Sequence, residues 1–172
     1  MHLIQIRDEK PGDESVIRTV HRKAFGRDIE GDLIDKLRTG GALTISLVAS
    51  CGNQIVGHIA FSPVEIKSEH YSIPAIALGP LAVSADYQNK GIGSRLVGEG
   101  IKRCERLKYR AILVVGDYEY YRRFGFIPAG QKHIECEFKV PDESWMLLEL
   151  EAGALDGIGG EVIYRPEFRD AT

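Results

Sequence analysis

The chain has 172 residues, with 22 Lys and Arg against 25 Asp and Glu, a formal net charge of −3. That length predicts a single domain, 1–172, able to bury a core without staples, and the slight acidity speaks against a nucleic-acid partner, which demands a basic face. At 44% hydrophobic and 27% charged residues, the composition is that of a soluble globular domain. Cys51, Cys104 and Cys136 contain no C-x-x-C pair, and an odd number cannot all pair within one chain, so free thiols and no metal are expected. Met1 to Ile6 runs directly into Arg7-Asp8-Glu9, too short an apolar stretch for a signal peptide. The longest uncharged run, Ser72 to Ala85, contains Pro74, Gly79 and Pro80 and falls short of a membrane span, so the expectation is a cytoplasmic protein with no membrane partner.

In chain order, Leu3 to Ile6 reads as a first strand. Lys10-Pro11-Gly12-Asp13-Glu14 opens a helix, with Pro near its first turn and acids at the positive end of the dipole, and Val16, Ile17, Val20 and Ala24 form its apolar stripe. Leu33, Ile34 and Leu37 mark a second helix that Gly40-Gly41 stops. Thr44 to Ser50 and Gln54 to Ile66 form a hairpin around Cys51-Gly52-Asn53. Ile73 to Val83 is a further strand, bulged or unpaired at Gly79-Pro80 because proline lacks the ladder donor. The next helix, Gly91 to Leu107, places Ile92, Leu96, Val97, Ile101, Cys104 and Leu107 on one face, opposite Arg95, Glu99, Lys102, Arg103 and Arg106. Ala111 to Val115 is a strand buried on both faces, as in a parallel pair. A compact helix around Tyr118 to Arg123 closes at Gly125, Phe126-Ile127 starts a strand, and Trp145 to Leu150 and Glu161 to Tyr164 are the closing strands. The order is mixed α/β (α+β), with helices packed on a mostly antiparallel sheet.

Chemistry concentrates between Leu78 and Ser94. A strand, Leu78-Gly79-Pro80-Leu81-Ala82-Val83, passes through Ser84-Ala85-Asp86-Tyr87 into Gln88-Asn89-Lys90-Gly91-Ile92-Gly93-Ser94. Glycines at a helix start let backbone N–H groups approach a ligand, and those N–H groups lack intrahelical partners, so the turn is suited to phosphate. A Walker A loop is excluded because Lys90 precedes its glycine, and a dinucleotide fingerprint because Leu96 stands where its third glycine belongs. Gly-x-Gly alone is equally compatible with close helix–strand packing.

The wider context resembles the GNAT superfamily of N-acetyltransferases. Gln-x-x-Gly-x-Gly after the Leu81-Ala82-Val83 strand is similar to its coenzyme A pyrophosphate loop, and Tyr120-Tyr121-Arg122-Arg123-Phe124-Gly125-Phe126 is similar to its Tyr-x-x-x-Gly-Phe element. Leu78 to Val83, Gly116-Asp117 and the tail Gly160 to Phe168 further resemble the YhbS-like branch. The resemblance implies the acyl-CoA N-acyltransferase fold, with a mostly antiparallel central sheet, a parallel splayed pair and flanking helices. It also implies transfer of the acetyl group of acetyl-CoA to a primary amine, on a small molecule or a protein, with a non-catalytic acyl-CoA sensor or an interaction module as the alternatives. In that pattern Leu81, Ala82 and Val83 offer backbone groups to the pantetheine arm, and Gln88, Asn89, Lys90, Gly91, Ile92, Gly93 and Ser94 hold the pyrophosphate. Lys90 and Arg95 are candidate additional charges. Tyr121 is the matching general acid, a phenol able to protonate the departing thiolate. No spacing selects a general base among His58, Glu65, Asp117, Glu119 and His133; Asp117 reads as a helix cap, His58 as a packed or exposed strand residue, and water-mediated deprotonation is expected. No acyl-cysteine intermediate is implied. The acceptor is expected at Phe25 to Gly41 and Ala129 to Glu143, and a homodimer is compatible with the scaffold.

Overall fold

The computed structural model describes residues 3–171; Met1, His2 and Thr172, which belong to the predicted 1–172 domain and to the reading of the N-terminus, lie outside the described residues. The described chain forms two compact units, one of residues 3–62, 79–103 and 167–171, the other of residues 63–78 and 104–166.

In the first unit β1 (Ile4–Asp8), β2 (Ile45–Cys51) and β3 (Gln54–Lys67) pair antiparallel, Ile6 opposite Ala49 and Val48 opposite His58. Gly52-Asn53 makes the predicted hairpin turn, with Gly52 at φ 61°. Alternation along β3 separates two faces. On one, Val48, Ala60 and Ala82 pack with Ile17 and Val20 of α1 (Glu14–Phe25) and Ile34 of α2 (Ile29–Thr39). On the other, Gly57 and Phe61 meet α3 (Ile92–Arg106): a Cβ on Gly57 would lie 3.2 Å from the Leu96 side chain, and one on Gly100 only 2.3 Å from the Phe61 ring. Both glycines are therefore small so that a helix can lie close against a strand.

The turn Lys10–Gly12 leads directly into α1 and is held by Asp13, which accepts from the Lys10 N–H at 2.7 Å and from Arg7 at 2.8 Å. The buried stripe of α1 is Ile17, Val20 and His21, while Val16 and Ala24 face outward; a histidine with a buried hydrogen-bond partner occupies the inward position that apolar periodicity alone assigns to an aliphatic residue. On α3, Ile92, Leu96, Val97 and Cys104 are buried as expected, but Leu107 lies past the helix end and is 53% exposed.

In the second unit the head of β4 (Ser72–Val83) pairs parallel with β5 (Ala111–Val115), confined to Ile76 and Ala77 against Ile112 and Leu113. Burial of Ala111 to Val114 fits that central position. β8 (Trp145–Glu149) lies antiparallel to β5 and to the short β6 (Ile127–Pro128), and the end of β3 pairs with β9 (Gly160–Ile163). β9 also pairs parallel with β7 (Ile134–Cys136), a strand of three residues too short to show periodicity in sequence. β4 is continuous across Gly79-Pro80, where the peptide bond is cis and Gly79 has φ 135°. The fold is thus mixed α/β, mostly antiparallel with a β4–β5 parallel pair and flanking helices. No helix among the described residues is long and apolar enough to cross a membrane.

Candidate functional site

The loop between β4 and α3 is exposed and turns twice through the left-handed region. Asn89 and Gly91 both adopt left-handed conformations, at φ 61° and 83°. Left-handed residues inside a turn make successive N–H groups converge into a concave donor surface for an anion. Gln88, Asn89, Lys90 and Gly91 are exposed, and a Cβ built on Gly91 would meet nothing within 4 Å. The Gly91 carbonyl accepts from the Arg95 N–H at 3.0 Å, so the helix begins here and the first-turn amides precede any intrahelical acceptor. Ile92 is buried and pins the turn to the core. Gln88 folds back, its Nε2 donating to the Val83 carbonyl at 2.9 Å, which fixes the loop to the end of β4 and occupies one of that strand's backbone groups. Lys90 rests 5.5 Å from the centre of the Tyr87 ring. Leu81 and Val83 are half-buried while Ala82 points into the core.

In the second unit Tyr121 lies in α4 (Tyr118–Tyr121), which Asp117 caps through a 3.0 Å bond from the Glu119 N–H, as its sequence position predicts. The Tyr121 ring is buried between Tyr120, at 5.0 Å edge-on, and Phe126, at 5.6 Å. It lies flat against Gly116, where an added Cβ would come within 2.3 Å of the ring. Gly116 thus positions the Tyr121 ring, a role that its place in the sequence does not announce. Burial, with a smaller contribution from Tyr120, pushes the Tyr121 phenol well above its ordinary pKa, which keeps it a proton donor. The same unit holds a cleft of about 510 Å³ lined by Ile134, Glu135, Cys136, Lys139, Asp142 and Trp145. Most of its lining falls within the Ala129 to Glu143 segment.

The candidate bases separate sharply. Glu65 is exposed and accepts from Ser72 at 3.0 Å, Glu119 is exposed beside Arg122, and His133 is exposed in a left-handed turn. His58 is fully buried and makes two 2.8 Å contacts, to His21 Nε2 and to the Ser46 hydroxyl. Ser46 donates onward to Glu9 at 2.8 Å, and Glu9 is held by Arg38 through two 2.8 Å bonds. His21, at zero exposure, is the member of this chain that the sequence reading missed; its only signal was a polar residue on the inward stripe of α1. Among the described residues no group of three or more His, Cys, Asp or Glu is arranged to hold a metal ion.

The buried histidines couple unit stability to acid. Burial lowers the His21 pKa to about 4 and takes His58 down in the same direction, whereas an unfolded histidine titrates near 6.5. Unfolding therefore takes up protons below pH 6.5, and the stability that neutral His21 provides is complete above that pH and lost as pH falls toward 4, about 2 kcal/mol of it by pH 5. Glu9, whose pKa Arg38 and Ser46 lower against its own desolvation, loses its contribution at still lower pH. Urea unfolding at pH 7, 6 and 5 is expected to show this decline, and His21→Gln to flatten it; an unchanged pH dependence in the variant would contradict the assignment.

Residues 5–129 match the acetyltransferase (GNAT) domain family. The chain is 34% identical over 164 residues to the uncharacterized N-acetyltransferase YhbS of Escherichia coli K12, covering 95% of this chain and 97% of that protein. The crystal structure of E. coli YhbS in complex with CoA superposes with a TM-score of 0.91 at 32% identity, covering 98% and 93% of the two chains. A GNAT family acetyltransferase from Brucella melitensis, in complex with acetyl-CoA, gives 0.80 at 35% identity over 98% and 99%. On this full-length similarity, together with the loop and the tyrosine element, the chain belongs to the GNAT family of acetyltransferases.

Proposed function

We propose that the protein binds acetyl-CoA and transfers its acetyl group directly to a primary amine, as one catalytic domain. The observation that carries the reading is the exposed turn at 88–94, with left-handed Asn89 and Gly91 leading into α3. Such a turn supplies backbone donors and the positive end of a helix dipole to a diphosphate. Two relatives alike over nearly their whole length are bound to CoA and acetyl-CoA, which supports the same ligand here. The pantetheine arm then runs along Leu81, Ala82 and Val83, and the acetyl carbonyl is attacked by the free amine. The tetrahedral intermediate collapses by breaking its carbon–sulfur bond, and Tyr121 gives the departing sulfur a proton. Cys104 is buried, with burial raising its thiol pKa to about 12, and burial likewise raises that of Cys136. Neither has the thiolate character a covalent acyl carrier needs, so direct transfer is the simpler route. The cleft lined by Glu135 and Asp142 against the single Lys139 carries a net negative charge, which suits an acceptor bearing positive charge.

Free thiol released from acetyl-CoA on mixing with a panel of primary amines tests the reading. Tight binding without amine-dependent release would favour the acyl-CoA sensor instead. Gly91→Glu is expected to keep the fold, since a side chain there enters open space at a backbone cost of about 1–2 kcal/mol, and to abolish CoA binding by calorimetry; normal binding by the folded variant would remove the loop assignment. Tyr121→Phe is expected to lower turnover by about 10²–10⁴ with little change in acetyl-CoA affinity; an unchanged rate would end its role as acid.

A further inference from the structure

The hydrogen-bond chain inside the first unit has a fixed direction. A carboxylate only accepts, so the Ser46 hydroxyl spends its single hydrogen on Glu9. The 2.8 Å contact between Ser46 and His58 Nε2 therefore has the ring as donor, which leaves His58 Nδ1 as a bare lone pair. That lone pair accepts from His21 Nε2 at 2.8 Å, and His21 Nδ1 is left as an acceptor in turn. It is buried and has no hydrogen-bond partner. A buried acceptor without a donor costs about 1–3 kcal/mol, and native proteins rarely leave one unless a water or a reacting group uses it.

The position of this lone pair is informative. His21 stands on α1 next to Val20 and one turn after Ile17, both of which share an apolar cluster with Ala82 of β4, and Phe25 follows it one turn later. His58 follows Gly57, where a Cβ would be 3.3 Å from the Ala82 carbonyl, and Val56 next to it accepts from the Ser84 N–H at 2.8 Å. The strand that carries His58 therefore runs beside the end of β4 assigned to the acyl carrier, and the helix that carries His21 packs on the same apolar cluster as Ala82. Phe25 stacks parallel on the His21 ring at 6.0 Å and is itself 41% exposed, so the aromatic side chain that covers one face of the imidazole is within reach of solvent.

We propose that His21 is the general base of the acetyl transfer, taking the proton of the acceptor ammonium through one water hydrogen-bonded to its Nδ1, with His58, Ser46 and Glu9 as positioning residues. The inference rests on the transfer reading given above. The ammonium N–H bond breaks, its electron pair stays on the amine nitrogen for attack on the acetyl carbon, the water receives that proton, and one of the water's own protons forms the Nδ1–H bond. The resulting imidazolium keeps its Nε2–H on His58, whose own Nε2–H leads through Ser46 to the Glu9 carboxylate. The logic is that of a base oriented by a second and third group. Other charges facing the dyad are Glu30 from α2, which favours the cation on His21, and Asp13 and Arg38, which act on His58 in opposite directions. Against burial, which disfavours the cation, these set a base that is neutral and ready at physiological pH.

His21→Gln retains an N–H donor for His58 but has no basic atom. Two acceptors distinguish chemistry from structure: benzylamine, an ammonium at neutral pH, and 2,2,2-trifluoroethylamine, mostly free base there. The variant is expected to lose about 10²-fold in kcat/KM for benzylamine, to lose less than about threefold for trifluoroethylamine, which needs no base, and to keep the wild-type acetyl-CoA KM. Ser46→Ala, which cuts the chain beyond His58, should show the same discrimination with a smaller loss. Equal losses on both amines, or none on either, would overturn the role of His21 while leaving the transfer reading intact; a wild-type protein that acetylates neither amine would count against both. Histidine ¹⁵N spectra of the CoA-bound protein provide an independent arm: an unprotonated His21 Nδ1 is expected, and a protonated one overturns the proposal.

Discussion

A diphosphate can be held without any dedicated cationic side chain if enough backbone N–H groups converge on it, and under the proposed function that requirement is the constraint on the first unit. The chain turns left-handed twice, at Asn89 and Gly91, and immediately begins a helix whose positive dipole end lies at the turn. Such a turn must be exposed to receive a ligand yet anchored so that its donors stay in register. Ile92 provides the anchor from below, and the Gln88 side chain ties the loop back to Val83. Further along α3, Gly100 and Gly57 remove the bulk that would hold the helix away from β3, so the Phe61 ring and Leu96 can fill the seam. Small residues in the sheet and helix thus fix where the helix start points.

The opposite face of the same strands has a different character. There α1 and α2 cover an aliphatic cluster through which a polar chain runs from His21 to the Glu9–Arg38 pair. Such a chain is costly to bury unless each member is satisfied. Here every link is short except at one end, the His21 Nδ1, where the accounting stays open. In the second unit the analogous economy is aromatic: Tyr120, Tyr121 and Phe126 pack edge to face, and Gly116 gives Tyr121 the space to lie flat. Both units spend a glycine to set the orientation of one side chain or one helix.

Most of this architecture was legible in the residues. The hairpin at Cys51-Gly52-Asn53, the apolar stripe of α3 and the doubly buried β5 follow from period and turn chemistry, which are local. The exposed left-handed turn within residues 88–94, the proposed diphosphate site, could be read because it depends on backbone freedom at named glycines, and Asp117 as a cap because capping is a short-range hydrogen bond. What escaped depends on contacts between residues distant in sequence. Nothing in the spacing of His21, Ser46 and His58 announces that α1, β2 and β3 bring them into one line, and Gly116 gains its meaning only from the ring that lies on it. Val16 was assigned inward because an aliphatic residue outranks a histidine in any hydrophobicity pattern; the buried partner of His21 reverses that order. β7, three residues long, has no period to detect.

The account depends on the backbone of residues 88–94 gripping the diphosphate, and ligand dissection by calorimetry addresses that grip most directly. Coenzyme A, dephospho-coenzyme A and pantetheine would be titrated into the unmodified protein. If the turn is the principal holding point, dephospho-coenzyme A, which keeps the diphosphate, binds nearly as tightly as coenzyme A, while pantetheine, which lacks it, binds far more weakly. Comparable affinity for pantetheine and coenzyme A would contradict the account at its base.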